Sequence, residues 1–308
     1  MTRRGSKTLF SQFNYAINQS FQPGTSKNNE KYGINYNKQE KIYSYADREQ
    51  LRDTANAFSQ YCKEKGIKLI KDIKESDIKG FLSIKAETCT QRTIDQYASR
   101  INKLMTLSGN NYHFNPIRIS SNNVPKTQKG AIRTFAMSEY DYQKAFFSNR
   151  DSKAKMGVEL AHEFGLRSNE IVCLQVGDIK GDRIHICHGS KGGRERTIIA
   201  ETYQQKELII KLSNYAKKKD LSDNDRIVNI SKSSLHKYER IHLRENFGEK
   251  YKHSNNHAIR KNYAERTYLR YRSEGNSHKE AWGKTSLNLG HSFDRETLFK
   301  VYCPNLKE

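Results

Sequence analysis

Hydrophobic residues recur at helical spacing along most of the first third of the chain. Between Tyr45 and Ser108 three apolar stripes follow one another, each with charged residues on the opposite face. The stripes are Leu51, Ala55, Phe58 and Cys62; Ile78, Phe81 and Leu82; and Ile94, Tyr97, Ile101 and Leu104. Ser76 and Thr90 are suitable N-caps for the second and third helices. The pattern therefore predicts a small helical bundle over residues 45–110.

The second half of the chain is also helical, with one interruption. Apolar residues at helical spacing lead up to Gly165, and Ser138 is a suitable cap for the first helix of this region. Between them and the C-terminus, Arg183–His188 and Arg196–Ala200 have the composition of strands and are joined by the glycine-rich turn 189–193. The fold class that we predict is therefore mainly α with a small antiparallel β-sheet.

Breaks in these patterns divide the chain into two domains and two connecting regions. Residues 1–44 form a polar, basic N-terminal arm with one short helix over Leu9–Gln19, and this arm either contacts a polyanion or is loosely ordered. The helical domain 45–110 follows. Residues 111–134 contain two of the four prolines and several Asn and Ser, which is the composition of a linker. Residues 135–308 form the second domain.

The charge of the chain indicates a protein that binds polyanions. There are 55 Lys and Arg against 34 Asp and Glu, a formal net charge of +21. A field of this sign attracts nucleic acid. Codon usage in an AT-rich genome would explain the many lysines by itself, but not the ordered motifs described below. No apolar run approaches the ~20 residues that span a bilayer, so we expect a cytoplasmic protein without a membrane partner.

The sequence contains few signals for a metal site or for disulfides. The five cysteines are scattered and no CxxC motif occurs, so we expect neither structural zinc nor a disulfide framework. Paired carboxylates at metal-ligand spacing are also missing, which disfavours a metal-dependent nuclease. We therefore expect no cofactor and no metal.

Five short segments in the second half carry the candidate chemistry. In order along the chain they are GLRSNE (165–170), SKGGRER (190–196), HAIR (257–260), LGH (289–291) and Tyr302. Taken singly, each has a simpler explanation, such as a surface arginine, a solvated helix face or a buried structural histidine. Together they supply two guanidiniums that can bind the non-bridging oxygens of one phosphate, a lysine that can donate a proton, two imidazoles and a phenol. That set can cleave a phosphodiester with a protein hydroxyl.

The segments and their order resemble the tyrosine recombinases, the family that includes phage integrases and chromosome-dimer resolvases. The resemblance is strong over residues 135–302 and generic over 45–108. It implies that Arg167 and Arg260 bind the scissile phosphate, that Lys191 protonates the leaving 5′ oxygen, and that Tyr302 is the nucleophile. His257 and His291 complete the catalytic set, and His291 would donate a hydrogen bond to the phosphate or the attacking group.

The same resemblance implies the architecture and the partners. Two domains would form a clamp around double-stranded DNA at a specific recombination site, with Arg194 and Arg196 on the DNA backbone. A homotetramer would act on two duplexes through a Holliday junction and a 3′-phosphotyrosine, without ATP, and an accessory or directionality protein is a further expected partner. The protein would be nucleoid-associated. Integration or excision of a mobile element is the role we expect first. A type IB topoisomerase and a non-catalytic repressor derived from an integrase are the alternatives.

Overall fold

The chain folds into two compact units, Met1–Ala131 and Ile132–Glu308. The structure is a computed structural model that describes residues 8–24, 40–130, 135–190, 193–253 and 255–306. Within these residues, every helix is too short or too polar to cross a membrane. Each unit has its own apolar core.

The first unit is a helical bundle whose main helices are α1 (Leu9–Gln19), α2 (Tyr45–Glu64), α3 (Glu75–Ala86) and α4 (Gln91–Tyr112). A 3-10 turn, Ile70–Asp72, precedes α3. The helix predicted over Leu9–Gln19 is confirmed, and its apolar face is buried against α2 and α4. Phe13 and Ile17 on that face are 0% exposed. The helical part of the predicted arm is therefore built into the core of the bundle.

The residues after α4 differ from the predicted linker. Ile119 and Val124 are buried in the core of the first unit. The Asn102 side chain holds this segment in place, because it donates to the Ile119 carbonyl at 2.9 Å and accepts from the Ile119 N–H at 2.8 Å. Linker composition alone did not reveal that two apolar side chains in the segment return to the core. The other predicted domain boundaries remain predictions.

The second unit begins with α5 (Glu139–Tyr142), capped by Ser138 as predicted and continued by a π-helical turn, Gln143–Phe147. The remaining helices are α6 (Lys153–Phe164), α7 (Ser168–Cys173), α8 (Tyr203–Lys218), α9 (Lys232–Phe247), α10 (Asn255–Ser273), α11 (His278–Asn288) and α12 (Phe299–Tyr302). Helices α6, α9 and α10 pack against one another, and α11 and α12 pack against α10. This arrangement brings the ends of α6, α10, α11 and α12 to one region of the unit.

A small antiparallel sheet lies between α7 and α8. Its strands are β1 (Ile179–Lys180), β2 (Arg183–Ile186) and β3 (Arg196–Ile199), in the order β1-β2-β3. Ile184 pairs with Ile198, and both side chains are buried. The two longer strands were predicted, each ending one or two residues later than observed. The predicted class, mainly α with a small antiparallel sheet, is confirmed.

Candidate active site

The turn between α6 and α7 presents Arg167. Helix α6 ends at Gly165, which has a φ of +61°, and a Cβ there would lie 2.3 Å from the ring of Tyr263. Glycine is therefore required both by the left-handed backbone and by the close packing. Arg167 is the N-cap of α7, and its backbone N–H donates to the Glu170 carboxylate at 2.9 Å.

Glu170 is a fully buried carboxylate that joins two arginines. Its Oε1 accepts from Arg167 Nη1 at 2.8 Å, and Arg196 binds both carboxylate oxygens at 3.0 and 2.8 Å. Burial alone would raise the pKa of Glu170. The hydrogen bonds and charge of Arg196, with the charge of Arg260 and the Arg167 N–H, instead lower the pKa to about 2. Glu170 is therefore ionised and fixes the direction of both guanidiniums.

Helix α10 carries both residues of the HAIR motif. His257 and Arg260 lie on the same side of this helix, as their spacing predicted. Arg260 is only 1% exposed, and its Nη1 and Nη2 donate to the carbonyls of Gly165 and Leu289. Arg260 thereby ties the Arg167 turn to the chain just before His291. Its Nε is buried and has no hydrogen-bond partner among the described residues.

The LGH segment follows α11 and turns back toward the arginines. Gly290 has a φ of +72°, and a Cβ there would lie 2.9 Å from Arg196 Nη1 and 3.3 Å from Arg167 Nη1. The backbone N–H of His291 donates to the Ser286 carbonyl at 2.9 Å. The glycine therefore allows the backbone to pass over the two guanidiniums and brings the His291 imidazole next to them.

Tyr302 is the last residue of α12 and is 7% exposed. Its ring lies in a cluster with Phe299 and Trp282. The chain that follows is anchored, because the Asn305 N–H donates to Glu265 of α10 at 2.9 Å. Within this chain, Tyr302 is therefore held against the same helix that carries His257 and Arg260.

The Tyr302 side chain lies among side chains of three motifs, and its hydroxyl contacts one of them. The hydroxyl lies 3.1 Å from His291 Nε2, which is itself 3.4 Å from Arg167 Nη2. The Arg260 guanidinium carbon lies 5.5 Å from the centre of the Tyr302 ring, and the His257 ring centre lies 5.6 Å from it. Five of the six predicted catalytic residues are thus brought together. The sixth, Lys191, lies outside the described residues.

The direction of the hydrogen bond between Tyr302 and His291 follows from charge. Burial lowers the pKa of His291, and the positive charges of Arg167, Arg260, Arg295 and Arg194 lower it further, to about 3. The imidazole is therefore neutral near pH 7. A guanidinium can only donate, so Nε2 is the acceptor nitrogen and Nδ1 carries the proton. Nε2 consequently accepts from the Tyr302 hydroxyl, whereas the sequence suggested that His291 would donate.

The two arginines of the SKGGRER segment differ from each other. Arg194 is exposed, which is compatible with its predicted contact to the DNA backbone. For Arg196 the same prediction is wrong in this structure. Its side chain is 8% exposed, pairs with Glu170 and donates through Nε to the Asn288 carbonyl at 2.8 Å. A buried carboxylate turns this guanidinium inward, where it supports the site instead of facing a ligand.

From sequence alone, Glu170 is a negative charge in the first turn of a helix, where such a charge is favoured. Its role as the shared partner of Arg167 and Arg196 was missed. The signal was present in the charge pattern, since a carboxylate three residues after an arginine at a helix start can reach back to it. The long-range partner Arg196 could not be found in this way.

The chain resembles known integrases in sequence and in fold. Residues 125–266 match the model of a family described as "Integrase", a segment that contains Arg167, His257 and Arg260. A lambda integrase tetramer bound to a Holliday junction superposes with a TM-score of 0.61 at 15% identity, over 95% of this chain and 77% of that one. The Tn1549 transposon integrase in complex with circular intermediate DNA gives 0.62 at 14% identity, over 96% of this chain and 95% of that one. No curated protein sequence matches the chain.

The chain has the fold of the tyrosine recombinases. The resemblance predicted from its motifs is confirmed by the family match and by these two integrase structures. We refer to residues 125–266 as the integrase segment. His291 and Tyr302 lie beyond the integrase segment in sequence, yet the fold returns both to the residues that this segment contributes.

Proposed function

We propose that the protein is a site-specific DNA recombinase in which Tyr302 is the nucleophile. The observation that carries the proposal is the 3.1 Å contact between the Tyr302 hydroxyl and the neutral acceptor His291 Nε2, beside the two arginines. A phenol has an ordinary pKa of about 10, so it needs a proton acceptor and nearby cations to become a nucleophile. This arrangement supplies both.

In the first step, the Tyr302 oxygen attacks the scissile phosphorus as its proton passes to His291 Nε2. The bond between phosphorus and the 5′ oxygen breaks, which leaves a 3′-phosphotyrosine and a 5′-hydroxyl. Lys191 donates the proton that the leaving oxygen takes up. In the second step, a 5′-hydroxyl of the partner duplex attacks the phosphotyrosine, and the Tyr302 oxygen regains a proton. The ester bond conserves the energy of the cleaved bond, so ATP is not consumed.

The arginines would stabilise the charge that builds on the non-bridging oxygens in the transition state. Arg167 is 23% exposed and directed by Glu170, so it can reach a phosphate at the surface. Arg260 offers its unpartnered Nε and the remaining hydrogens of Nη1 and Nη2. An unsatisfied buried donor of this kind favours an anionic ligand. His257 lies at the edge of the Tyr302 ring, where it can donate to the same phosphate.

The assembly that we propose is a homotetramer on two duplexes, each protomer binding DNA with both of its units. Formal charge of +21 supports phosphate binding that holds the protein in register, while base contacts set the site. Integration or excision of a mobile element is the role that we propose, because the Tn1549 relative is a transposon integrase.

A joining assay tests this proposal. The binding site is first selected from random duplexes, and two differently labelled duplexes that carry it are then incubated with the protein. Wild type and Tyr268→Phe, which alters another buried tyrosine of the same cluster, should give joined duplexes. Tyr302→Phe should bind and give none. Relaxation of supercoils without joining would indicate a topoisomerase, and binding without cleavage by wild type would indicate a repressor.

A further inference from the structure

A second group of reactive side chains lies away from Tyr302, at the start of the hairpin that contains Lys191. It consists of Asp178, Cys187 and His188. Cys187 Sγ lies 3.2 Å from Asp178 Oδ1 and 3.2 Å from His188 Nδ1, and His188 Nδ1 lies 3.3 Å from Asp178 Oδ2. The proposed recombination chemistry uses none of the three.

The separations fit a tetrahedral transition-metal ion. Zinc binds sulfur at about 2.3 Å and nitrogen or oxygen at about 2.0–2.2 Å, so tetrahedral ligand atoms lie roughly 3.3–3.6 Å apart. The imidazole and carboxylate atoms already have this separation, at 3.3 Å. The sulfur lies 3.2 Å from the imidazole nitrogen and would have to move outward by only about 0.3 Å to reach the tetrahedral separation from it. A Cys, His and Asp set is also the ligand chemistry that zinc prefers over magnesium or calcium.

The ligand atoms are held by backbone structure. Asp178 is 8% exposed, and its Oδ2 accepts from the Gln175 N–H at 2.9 Å, which fixes the carboxylate. In established metal sites, hydrogen bonds of this kind orient the side chains that bind the metal directly. Cys187 and His188 directly follow β2, whose register with β3 is set by four residue pairs. The His188 side chain is 46% exposed, so an ion and a fourth, water ligand can reach the group.

We propose that Asp178, Cys187 and His188 form a zinc-binding site at the end of β2. Binding deprotonates the thiol, which releases one proton to solvent, and leaves one coordination position for water. The site lies next to the Arg167 turn, because the Gly189 carbonyl accepts from Asn169 Nδ2 at 2.8 Å. A bound ion would therefore fix the strand end from which the chain continues to Lys191. The sequence did not predict this site, since its ligands come from two places and not from a CxxC motif.

Cobalt titration of the chelator-treated, full-length protein tests the site. Cobalt serves as the spectroscopic probe for zinc, since it takes the same geometry and gives a thiolate charge-transfer band. Wild type should bind one tightly held cobalt per chain with that band and with tetrahedral d–d bands, and equimolar zinc should remove both. Cys187→Ser should lose the thiolate band. His188→Gln should bind at least about tenfold more weakly.

Two control variants separate this site from other thiols and imidazoles. Cys89→Ser alters a partly exposed cysteine of the first unit, and His185→Gln alters an exposed histidine of β2 itself. Both should bind cobalt like wild type, and circular dichroism should show that all four variants are folded. Absence of a thiolate band in wild type, or its persistence in Cys187→Ser, would overturn the proposal. DNA is not present in the experiment, so its outcome is independent of the proposed recombinase activity.

Discussion

At the scale of single residues, the hydrogen bond from Tyr302 to His291 depends on keeping the imidazole neutral. Four arginine charges and burial achieve this by lowering the pKa of His291 to about 3. In many proteins a histidine beside a phosphate site would be charged near pH 6 and would repel a proton from the nucleophile. Here two of the cations, the arginines that we propose bind the phosphate, also help to make His291 an acceptor.

The first prediction concerns the pH dependence of stability. The unfolded His291 takes up a proton below pH 6.5, whereas the folded residue takes it up only near pH 3. The free energy of unfolding is therefore unaffected by His291 above pH 6.5 and decreases as the pH falls toward 3. Thermal unfolding of DNA-free protein should show wild type losing stability relative to His291→Gln over this range. Parallel curves for the two proteins would show that the folded imidazole titrates normally.

The second prediction separates Arg167 from Arg260, the two arginines that we propose bind the phosphate. Arg167→Ala should slow formation of the covalent complex on the order of 10²-fold, the effect of removing one transition-state donor. Arg260→Ala should slow it similarly and should also destabilise the fold, because the Gly165 and Leu289 carbonyls lose their donor. Each buried group left without its hydrogen bond costs about 1–3 kcal/mol.

Single-turnover cleavage and urea unfolding measure the two effects. Arg194→Ala is the matched control, since Arg194 is exposed, and it should leave the free energy of unfolding unchanged. Equal losses of stability in Arg167→Ala and Arg260→Ala would contradict the bridging role of Arg260.

At the scale of elements, the ion pair of Glu170 and Arg196 connects α7, β3 and the end of α11. Glu170→Gln leaves the buried Arg196 guanidinium without its carboxylate, and Arg196→Met leaves the buried Glu170 carboxylate with Arg167 as its remaining hydrogen-bonded arginine. Each change should therefore destabilise the protein by up to about 3–5 kcal/mol. The double variant, which removes both charges, should be less destabilised than the sum of the single variants. A denaturant-unfolding cycle measures this coupling. Additive losses would mean that the two residues stabilise the fold independently.

The segment between β2 and β3 contains Lys191, for which we propose the role of proton donor. If Lys191 protonates the leaving 5′ oxygen, a 5′-bridging phosphorothiolate should bypass it, since a thiolate leaves without a proton. Lys191→Ala should therefore cleave normal DNA poorly and the sulfur substrate nearly as fast as wild type. Arg167→Ala should not be rescued to that extent. A lysine variant equally slow on both substrates would make Lys191 an ordinary hairpin contact.

The elements also show how far the sequence could predict the fold. Helix α1 and the Gly165 helix end were found because their signals are local, namely apolar spacing and a left-handed C-cap. By the same local rule Gly109 would mark the end of α4, but the helix continues to Tyr112. A Cβ at Gly109 would lie 2.7 Å from the Phe114 carbonyl oxygen. Tertiary packing required the glycine there. Strand β1 has two residues and no alternation to detect.

The candidate site likewise contains residues that the sequence could predict and contacts that it could not. Its members could be named from motifs, since the residue types and their order define the chemistry. Arg196 could not be distinguished from Arg194 by sequence, because both are arginines of one hairpin and only the fold turns one of them toward a buried carboxylate. The bridging of two carbonyls by Arg260 likewise depends on contacts between distant segments.

At the scale of the whole molecule, the positive charge is spread over many residues, whereas the proposed catalytic residues lie in one place. The formal charge of +21 comes from residues spread along both units, so binding should be strongly salt-dependent and lose little when one cation is removed. In the proposed mechanism bond formation depends, by contrast, on one hydroxyl, whose position requires α10, α11 and α12 to pack together. The central claim is therefore the identity of the atom that becomes bonded to DNA.

Mapping the protein–DNA adduct tests that claim most directly. The protein is incubated with a duplex that carries its recombination site and a nick beside the cleavage position, so that the cleaved fragment diffuses away and the covalent complex accumulates. After digestion with protease and nuclease, mass spectrometry identifies the peptide that retains a nucleotide. The account predicts a 3′-linked nucleotide on Tyr302 and on no other residue. A nucleotide on a different side chain, or cleaved DNA with free ends and no adduct, would contradict it.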